Sequence, residues 1–283
     1  MEQISRRTFI KSSVALAASV GLMSVAGCAS EKKETPLKVR VLIFSPTGGT
    51  LNAGLLVAAE LSKDVEVLEQ TSLSSRTDTI SFEKKQLAVL AAPSYAGKIP
   101  FAQGLFENIQ GKETPCIIVT SYGNRACENN FAQVHKLASD RGFVVIGAIA
   151  IVTPHTFGGR AGHGRPDMTD RMKIKEFAVA VLKKLEGGTY TAITVEGEAD
   201  LGPKYVSNIE KVYDAEKCVK CNACVNNCPV GAIDADNLNI NEELCIHCQR
   251  CSFVCGFNAR DYLADRESID DKYFKRQEVL MIV

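Results

Sequence analysis

The sequence has no tryptophan, no block of basic residues and no apolar run long enough to span a membrane. The longest candidate, residues 12–27, falls short of the roughly 20 apolar residues that a spanning helix needs. The chain has 33 basic and 33 acidic residues without a basic cluster, so we expect no nucleic acid partner. An apolar content of 46% supports a buried core, and we expect the chain beyond its first residues to be soluble.

The first residues have the pattern of an export signal. Arg6 and Arg7 precede the uncharged, Ala- and Ser-rich residues 12–27, and small residues follow. Residues 5–11, SRRTFIK, resemble the twin-arginine signal, with Ile10 where leucine is usual. A receptor reads that signal, and the resemblance implies that the protein crosses the membrane already folded. Ordinary unfolded export is the alternative.

The signal ends in residues 25–28, VAGC, which resemble a bacterial lipobox. The resemblance implies that Cys28 is lipidated and becomes the first residue of the mature protein. The protein would then be held by lipid on the outer face of the cytoplasmic membrane or in the periplasm. Simple cleavage, with Cys28 incidental, is the alternative. We therefore divide the start of the chain into a signal peptide, 1–27, and a polar tether, 28–37.

Eight of the eleven cysteines lie between residues 218 and 255. They form two runs with the spacing C-x₂-C-x₂-C-x₃-C, the bacterial ferredoxin pattern, in which the fourth cysteine of each run ligates the cluster of the other run. The pattern predicts two [4Fe–4S] clusters, one on Cys218, Cys221, Cys224 and Cys255 and the other on Cys245, Cys248, Cys251 and Cys228.

Zinc and disulfides are the alternatives to iron–sulfur clusters. Zinc sites would use two CxxC pairs for each ion and leave the fourth cysteine of each run over. Disulfides are common in exported proteins, but they do not require this spacing.

An unfolded chain would reach an oxidising compartment with eight bare thiols, which would pair as disulfides. Export in the folded state, with the clusters already bound, therefore suits this protein. His247 lies between two ligand positions, and we interpret it as a surface residue.

Apolar strand-like runs alternate with helical patterns over the first two thirds of the chain. The strand-like runs are 38–45, 65–68, 86–92, 116–120 and 143–152, and the helical patterns are 51–61, 102–108, 129–139 and 169–185. This alternation indicates a parallel sheet. Five such strands fit the flavodoxin-like doubly wound α/β fold, in which the ligand binds at the carboxyl ends of the strands.

The loop after the first strand offers hydroxyls and backbone N–H groups at a helix start, which suits a phosphate. It lacks the lysine of a Walker loop and the GxGxxG spacing. It does resemble the flavodoxin phosphate loop, and this resemblance implies FMN. The implied phosphate ligands are Ser45, Thr47, Gly48, Gly49, Thr50 and Asn52.

Two later strand ends carry loops that resemble the flavin-flanking loops of flavodoxins, PSYAGKIP over 93–100 and TSYGNR over 120–125. The resemblance implies that these loops enclose the flavin ring. Without a tryptophan, Tyr95 is the first stacking candidate and Tyr122 the second, with Gly123 and Asn124 beside the ring. His155, after the fifth strand, is interpreted as a loop hydrogen-bonding residue, so we predict no catalytic residue.

Residues 38–260 as a whole resemble the bacterial family that joins a flavodoxin-like domain to a two-cluster ferredoxin. The motifs that carry this likeness are FSPTGGT, PSYAGKIP, YGNRA and the two cysteine runs. We predict a flavodoxin-like domain, 38–204, a small α+β ferredoxin domain, 205–260, and a solvated C-terminal tail, 261–283, packed over the ferredoxin domain. Cys116 and Cys127 are expected to be buried thiols.

The resemblance implies a membrane-anchored electron-transfer protein whose partner is a redox protein or a quinone. Two alternatives stay open at this point. The first is a flavin-dependent reductase of a small molecule or quinone, fed by its ferredoxin domain. The second is a docking lipoprotein whose flavodoxin-like domain is empty. The sequence does not indicate the oligomeric state.

The export prediction can be tested by replacing Arg6 and Arg7 with lysine. Because the charge is kept while the arginine pair is lost, we expect the precursor to accumulate inside the cell, measured by fractionation and immunoblotting. Cys28→Ser is the companion variant and should leave an unlipidated product. A mature N-terminus that carries no lipid in mass spectrometry of the wild type would refute the lipidation prediction.

Overall fold

Five of the six strands in the main sheet are parallel, and they follow the apolar runs of the sequence. The computed structural model describes residues 37–207 and 209–283, which belong to one compact unit. The parallel strands are β1 (Val39–Ile43), β2 (Val65–Glu69), β4 (Leu87–Pro93), β6 (Thr114–Tyr122) and β7 (Phe143–Val152). Two short strands, β3 (Ile80–Ser81) and β5 (Ile109–Gln110), form a separate pair. The predicted signal peptide and Cys28 lie outside the described residues.

The order of the parallel strands in space defines the fold. They stand in the order β2-β1-β4-β6-β7, which is the 2-1-3-4-5 order of the flavodoxin-like doubly wound fold. Every residue of β4 and β6 is buried, as expected for a parallel sheet covered on both faces. The predicted fold class is therefore confirmed, and the carboxyl ends of β1, β4, β6 and β7 meet at one edge of the sheet.

Three helices cover the two faces of this sheet. They are α1, Gly49–Leu61, α2, Asn130–Ser139, and α3, Met168–Glu186. Helices α1 and α3 share one core, in which Val57 and Phe177 are fully buried, and α2 contributes Phe131 to the core on the other face. Helix α3 begins at a capping box, where Asp167 and Asp170 each accept a hydrogen bond from the other's backbone N–H.

The helix predicted over residues 102–108 is absent, and this prediction is wrong. The chain makes turns there, because Gly104 and Phe106 adopt left-handed φ values of 73° and 56°. A right-handed helix cannot continue through such residues. The apolar spacing that indicated a helix instead places Phe106 fully inside the core.

The cysteine-rich segment follows as a small, two-fold repeated unit. Strand β8, Glu210–Tyr213, pairs antiparallel with β9, Arg260–Leu263. Between them lie two one-turn helices, α4, Ala223–Asn226, and α5, Arg250–Phe253. An antiparallel bridge joins Ile233 to Ile240 between the two cysteine runs.

The C-terminal residues return to the flavodoxin-like sheet. After helix α6, Arg266–Tyr273, strand β10, Leu280–Ile282, pairs antiparallel with β7 and becomes an edge of the main sheet. The Asp270 carboxylate on α6 accepts hydrogen bonds from the backbone N–H groups of Gly159, Arg160 and Ala161 at 2.8–3.1 Å. The prediction of a solvated tail packed over the ferredoxin domain is therefore wrong for this segment. The strand lies in a short apolar run, residues 279–283, which follows a charged stretch.

Among the described residues, 37–207 and 209–283, no helix is long and apolar enough to cross a membrane.

The Asp270 contact gives a pH-dependent prediction. Three backbone N–H groups, with that of Ala161 foremost, hold the pKa of Asp270 below its ordinary value of 3.8. Because a lowered native pKa stabilises the fold above the unfolded pKa, this contribution is present at neutral pH and is lost as the pH falls below about 4. We expect Asp270→Asn to lower the melting temperature at pH 7, and the difference from the wild type to shrink in acid.

Thermal melts between pH 3 and pH 7 measure this effect. Asp271→Asn is the matched control, because Asp271 is exposed and contacts only the Arg160 guanidinium, at 3.3 Å. If both variants melt alike at pH 7, the carboxylate of Asp270 does not anchor the C-terminal segment.

Candidate cofactor site

One cavity of about 650 Å³ lies at the carboxyl edge of the sheet, within the range typical of small-molecule and cofactor sites. The loop between β1 and α1 forms one side of it through Ser45, Thr47, Gly49 and Thr50. The loops after β4, β6 and β7 form further walls. This convergence follows directly from the parallel strand order.

The predicted phosphate loop is held by short polar contacts. The Ser45 hydroxyl accepts a hydrogen bond from Leu51 N at 2.9 Å, and the Thr50 hydroxyl bonds that of Ser121 at 2.7 Å. Gly48 has a φ of 92°, a conformation that L side chains rarely adopt. The loop therefore presents the backbone at the start of α1 towards the cavity, as a phosphate requires. Gly48 and Asn52 are not among the lining residues, and Asn52 is exposed on α1.

The two predicted stacking residues differ in their surroundings. Tyr95 is half-buried on the cavity wall, and burial raises the pKa of its hydroxyl well above the usual value. Tyr122 also lines the cavity, but it is buried, and its hydroxyl donates to the Glu278 carbonyl at 2.6 Å. Burial raises the pKa of Tyr122 to about 12. Tyr95 is thus the more accessible of the two tyrosines, and Tyr122 is fixed by the C-terminal segment.

Gly123 and Asn124 have structural explanations of their own. An added Cβ at Gly123 would approach the His155 ring to 2.7 Å, so only glycine fits beside that histidine. The Asn124 amide donates to the Lys275 carbonyl at 3.0 Å and accepts from Gln277 N at 3.1 Å. Asn124 therefore ties down the C-terminal segment and does not line the cavity.

His155, which the sequence indicated, and Tyr273, which it did not, line the cavity together. His155 stacks on Tyr273 of α6 with ring centroids 5.4 Å apart, and its Nδ1 accepts from Phe157 N at 3.2 Å. Burial lowers the pKa of His155, which fits a neutral ring with an accepting Nδ1. The expected loop hydrogen bond is therefore present. Tyr273 carried no signal, because a contact between residues so distant in the chain has no local pattern.

The two cysteine runs have matching backbones. In each run the residues on either side of the second cysteine are left-handed, Lys220 and Asn222 in the first and His247 and Gln249 in the second. Each fourth cysteine accepts a backbone N–H hydrogen bond at 3.2 Å, from Ala232 to Cys228 Sγ and from Ala259 to Cys255 Sγ. Such N–H···S bonds are among the means by which proteins stabilise clusters and set their potentials.

The cysteines fall into two sets that fit two four-iron clusters. The outer set lines one small cavity and combines three residues of the first run with the last of the second, Cys218, Cys221, Cys224 and Cys255. Cys221 is exposed, and the other three are half-buried. The predicted cross-ligation requires this grouping, and ligation itself stays a prediction.

The inner set comprises the buried Cys245, Cys248 and Cys251 together with the half-buried Cys228. Burial first, and then the neighbouring Cys251, Cys228 and Cys245, raise the pKa of the Cys248 thiol. The protein alone therefore opposes ionisation of this set. A cationic iron–sulfide core is a group that four such thiols suit, since it takes them as thiolates.

The inner set stands directly behind the cavity. Ile246, His247 and Gln249, which lie between the inner cysteines in the sequence, line the cavity. His247 is only 5% exposed, and its Nε2 accepts from Ser207 N at 3.5 Å. Its interpretation as a surface residue is therefore wrong. Cys116 and Cys127 are buried free thiols, as predicted.

Comparison with known proteins supports the cluster assignment. The family model of the 4Fe-4S binding domain matches residues 211–234 and 238–261, which contain the two cysteine runs. The pyruvate synthase subunit PorD of Methanocaldococcus jannaschii is 43% identical over 51 residues, covering 17% of this chain and 59% of that protein. The chain thus spans about three fifths of the length of this curated relative. Two 4Fe-4S binding domains follow a flavodoxin-like domain in this chain.

Among solved structures, the chain is similar to a flavodoxin of Streptococcus pneumonia TIGR4. The two are 18% identical with a TM-score of 0.37, and the match covers 52% of this chain and 98% of the flavodoxin. Our fold assignment rests on the strand order. An iron–sulfur unit joined to a flavodoxin-like sheet supports electron transfer as the class of activity.

Two tyrosine hydroxyls give a test of the cluster environments. The Tyr262 hydroxyl lies 3.5 Å from Cys251 Sγ and can donate to a ligating thiolate. Tyr262→Phe keeps the ring and removes the donor, so we expect a lower potential for the inner cluster. A hydrogen bond of about 1 kcal/mol corresponds to a shift of roughly 40 mV for one electron.

An EPR-monitored redox titration measures the shift. Tyr213→Phe is the matched control, because the Tyr213 hydroxyl bonds Cys218 of the outer set. The two substitutions should therefore move different cluster signals. Equal shifts of both signals in either variant would contradict the assignment of one tyrosine to each set.

Proposed function

We propose that this protein transfers electrons between a partner and FMN by way of two [4Fe–4S] clusters. When bound, the clusters supply one-electron transfer and the flavin supplies one- or two-electron transfer. The observation that carries the proposal is the shared wall: Ile246 and His247 of the inner-cluster loop line the same cavity as the phosphate loop. A redox centre held by the inner cysteines therefore adjoins the place where the flavin fits.

The outer cysteines suit exchange with a partner. Cys221 is exposed, whereas Cys245, Cys248 and Cys251 are buried. Electron transfer needs close approach, and only the outer set offers this to another molecule. We therefore assign the outer set to the partner and the inner set to the cavity.

The residues proposed to hold FMN divide by chemistry. Ser45, Thr47, Gly49 and Thr50 would meet the phosphate with hydroxyls and with backbone N–H groups at the start of α1. Tyr95 would stack on the ring, to which it offers an uncharged aromatic side chain. The mainly apolar lining of the cavity suits an aromatic cofactor.

A reductase is the second candidate, and the aromatic wall of the cavity favours it. Phe157, Tyr273 and Phe253 lie on this wall beside His155, where a flat acceptor such as a quinone could stack. Stopped-flow mixing of the reduced protein with quinones, and separately with oxidised redox proteins, distinguishes the two. Fast saturable reoxidation by a quinone alone would favour the reductase.

We further propose that the protein works at a membrane surface, held by lipid at Cys28 after export in folded form. The sequence motifs at Arg6-Arg7 and at residues 25–28 support this. The membrane-side partner would then be a redox protein for the relay, and a quinone for the reductase.

Anaerobic purification tests the cofactor content. Two four-iron clusters imply about eight irons per chain, and we expect one FMN. Gly48→Val should abolish flavin binding and leave the iron count unchanged. A non-glycine residue in the left-handed region costs about 1–2 kcal/mol, and the distorted loop would no longer present its N–H groups to the phosphate.

Gly164→Val is the matched control for this strain. Gly164 also has a left-handed φ, 74°, and open space around an added Cβ, but it does not line the cavity. It should therefore retain FMN. A wild-type protein that holds no flavin and binds none in a titration would refute the relay and favour the docking alternative.

A further inference from the structure

Side chains fasten the cluster segment to the loops that enclose the cavity. The Arg250 guanidinium donates to the Pro46 carbonyl in the phosphate loop at 2.8 Å. The Gln249 amide donates to the Thr156 carbonyl, after β7, at 3.0 Å. In the opposite direction, Arg76 donates to the Pro229 carbonyl, next to Cys228. Two of these contacts, those of Arg250 and Gln249, fasten the cluster segment to loops that line the cavity, and the third, from Arg76, holds it beside Cys228.

Arg250 joins the phosphate loop to both halves of the inner cysteine set. Its second terminal nitrogen donates to Asn227 Oδ1 at 3.1 Å. Asn227 immediately precedes Cys228, and Arg250 immediately precedes Cys251. The Arg250 guanidinium therefore links the phosphate loop to the residues that precede two inner ligands, Cys228 and Cys251.

Arg250 also supplies a charge that the phosphate loop lacks. Residues 45–52, SPTGGTLN, contain no basic side chain. A half-buried cation bonded to the backbone of this loop lowers the cost of placing a phosphate dianion there. That cation comes from the cluster segment and acts on the loop through the Pro46 carbonyl, whereas the basic residue on the cavity wall itself, Arg125, belongs to the flavodoxin-like part.

The position of Arg250 depends in turn on the inner cluster. Cys245, Cys248 and Cys251 are buried in a loop with left-handed residues at His247 and Gln249. The loop packs on the main core through Ile246 and Cys248, but metal binding and folding are coupled in such ligand-rich segments, so empty thiols would not fix the backbone around Cys251. Without the inner cluster, this loop and the Arg250 contact would not keep their places.

We propose that the inner cluster completes the FMN site through Arg250, so that loss of this cluster weakens FMN binding while loss of the outer cluster does not. The inference rests on the proposed function, because it requires that FMN binds in the cavity. Binding linkage is reciprocal, so bound FMN also protects the inner cluster against loss. Arg250 acts as a positioning residue for the phosphate loop.

The test is an FMN titration of the full chain under anaerobic conditions, followed by quenching of flavin fluorescence. We expect Cys248→Ser, an inner ligand, to weaken binding by roughly tenfold or more, the effect of losing a charge-assisted hydrogen bond. Cys221→Ser, an outer ligand, should bind as the wild type does. Iron counts and EPR spectra establish which cluster each variant has lost.

Arg250 is tested separately, so that the result does not depend on a damaged cluster unit. Arg250→Gln should keep both clusters by iron count and still bind FMN roughly tenfold more weakly. Arg250→Lys keeps the charge but not the paired donors, so its affinity for FMN should lie between that of the wild type and that of Arg250→Gln. Hydrogen exchange of residues 46–51 should rise in Arg250→Gln and remain unchanged in β4 and β6.

The outcomes separate the two proposals. A wild-type protein that binds no FMN overturns the proposed function and this inference with it. A wild type that binds FMN, with Cys248→Ser and Arg250→Gln equally tight, overturns only this inference. Equal weakening by Cys221→Ser and Cys248→Ser also overturns it, because the effect would then not be specific to the inner cluster.

Discussion

The burial of the inner cysteines beside the cavity is the constraint on which the rest of this structure depends. A buried thiolate is costly in a low-dielectric surrounding unless a cation and hydrogen-bond donors compensate it. The loop meets this need with left-handed residues that turn backbone groups around the ligands, and with the N–H of Ala232 on Cys228. The same loop also forms part of the cavity wall, so the conformation that binds the cluster also sets the shape of the cavity.

The flavodoxin-like sheet provides the fixed side of this arrangement. The carboxyl ends of its parallel strands lie at one edge of the sheet, so the strand order alone brings together four loops that are far apart in sequence. The mobile element of such a site would ordinarily be its loops. Here Asn124 joins the loop after β6 to the C-terminal segment, and Asp270 joins the loop after β7 to it, so both walls are anchored by the same segment.

The sequence predicts most of what local patterns can encode. Five apolar runs indicated the five parallel strands, and cysteine spacing indicated the two ligand groups, because both signals repeat over a few residues. The cavity's other residues carry no such signal. His247 and Tyr273 line the cavity, and Arg250 bonds the phosphate loop, because segments far apart in the chain pack together. At Phe106 the apolar spacing reflects burial of the side chain in a turn and not a helix.

Because β10 pairs with β7, the cluster segment is inserted in the sequence between two strands of the main sheet. The chain leaves the main sheet after α3, builds the whole cluster segment, and only then adds the last strand beside β7. Closing this loop costs entropy that grows with the length of free chain between the paired strands. A folded cluster segment brings its own ends together in the β8–β9 ladder and so shortens that free chain. The entropic cost of adding β10 to the sheet is therefore lower when the cluster segment is folded than when it is not, which couples the edge of the flavodoxin-like sheet to the folding of the cysteine-rich segment.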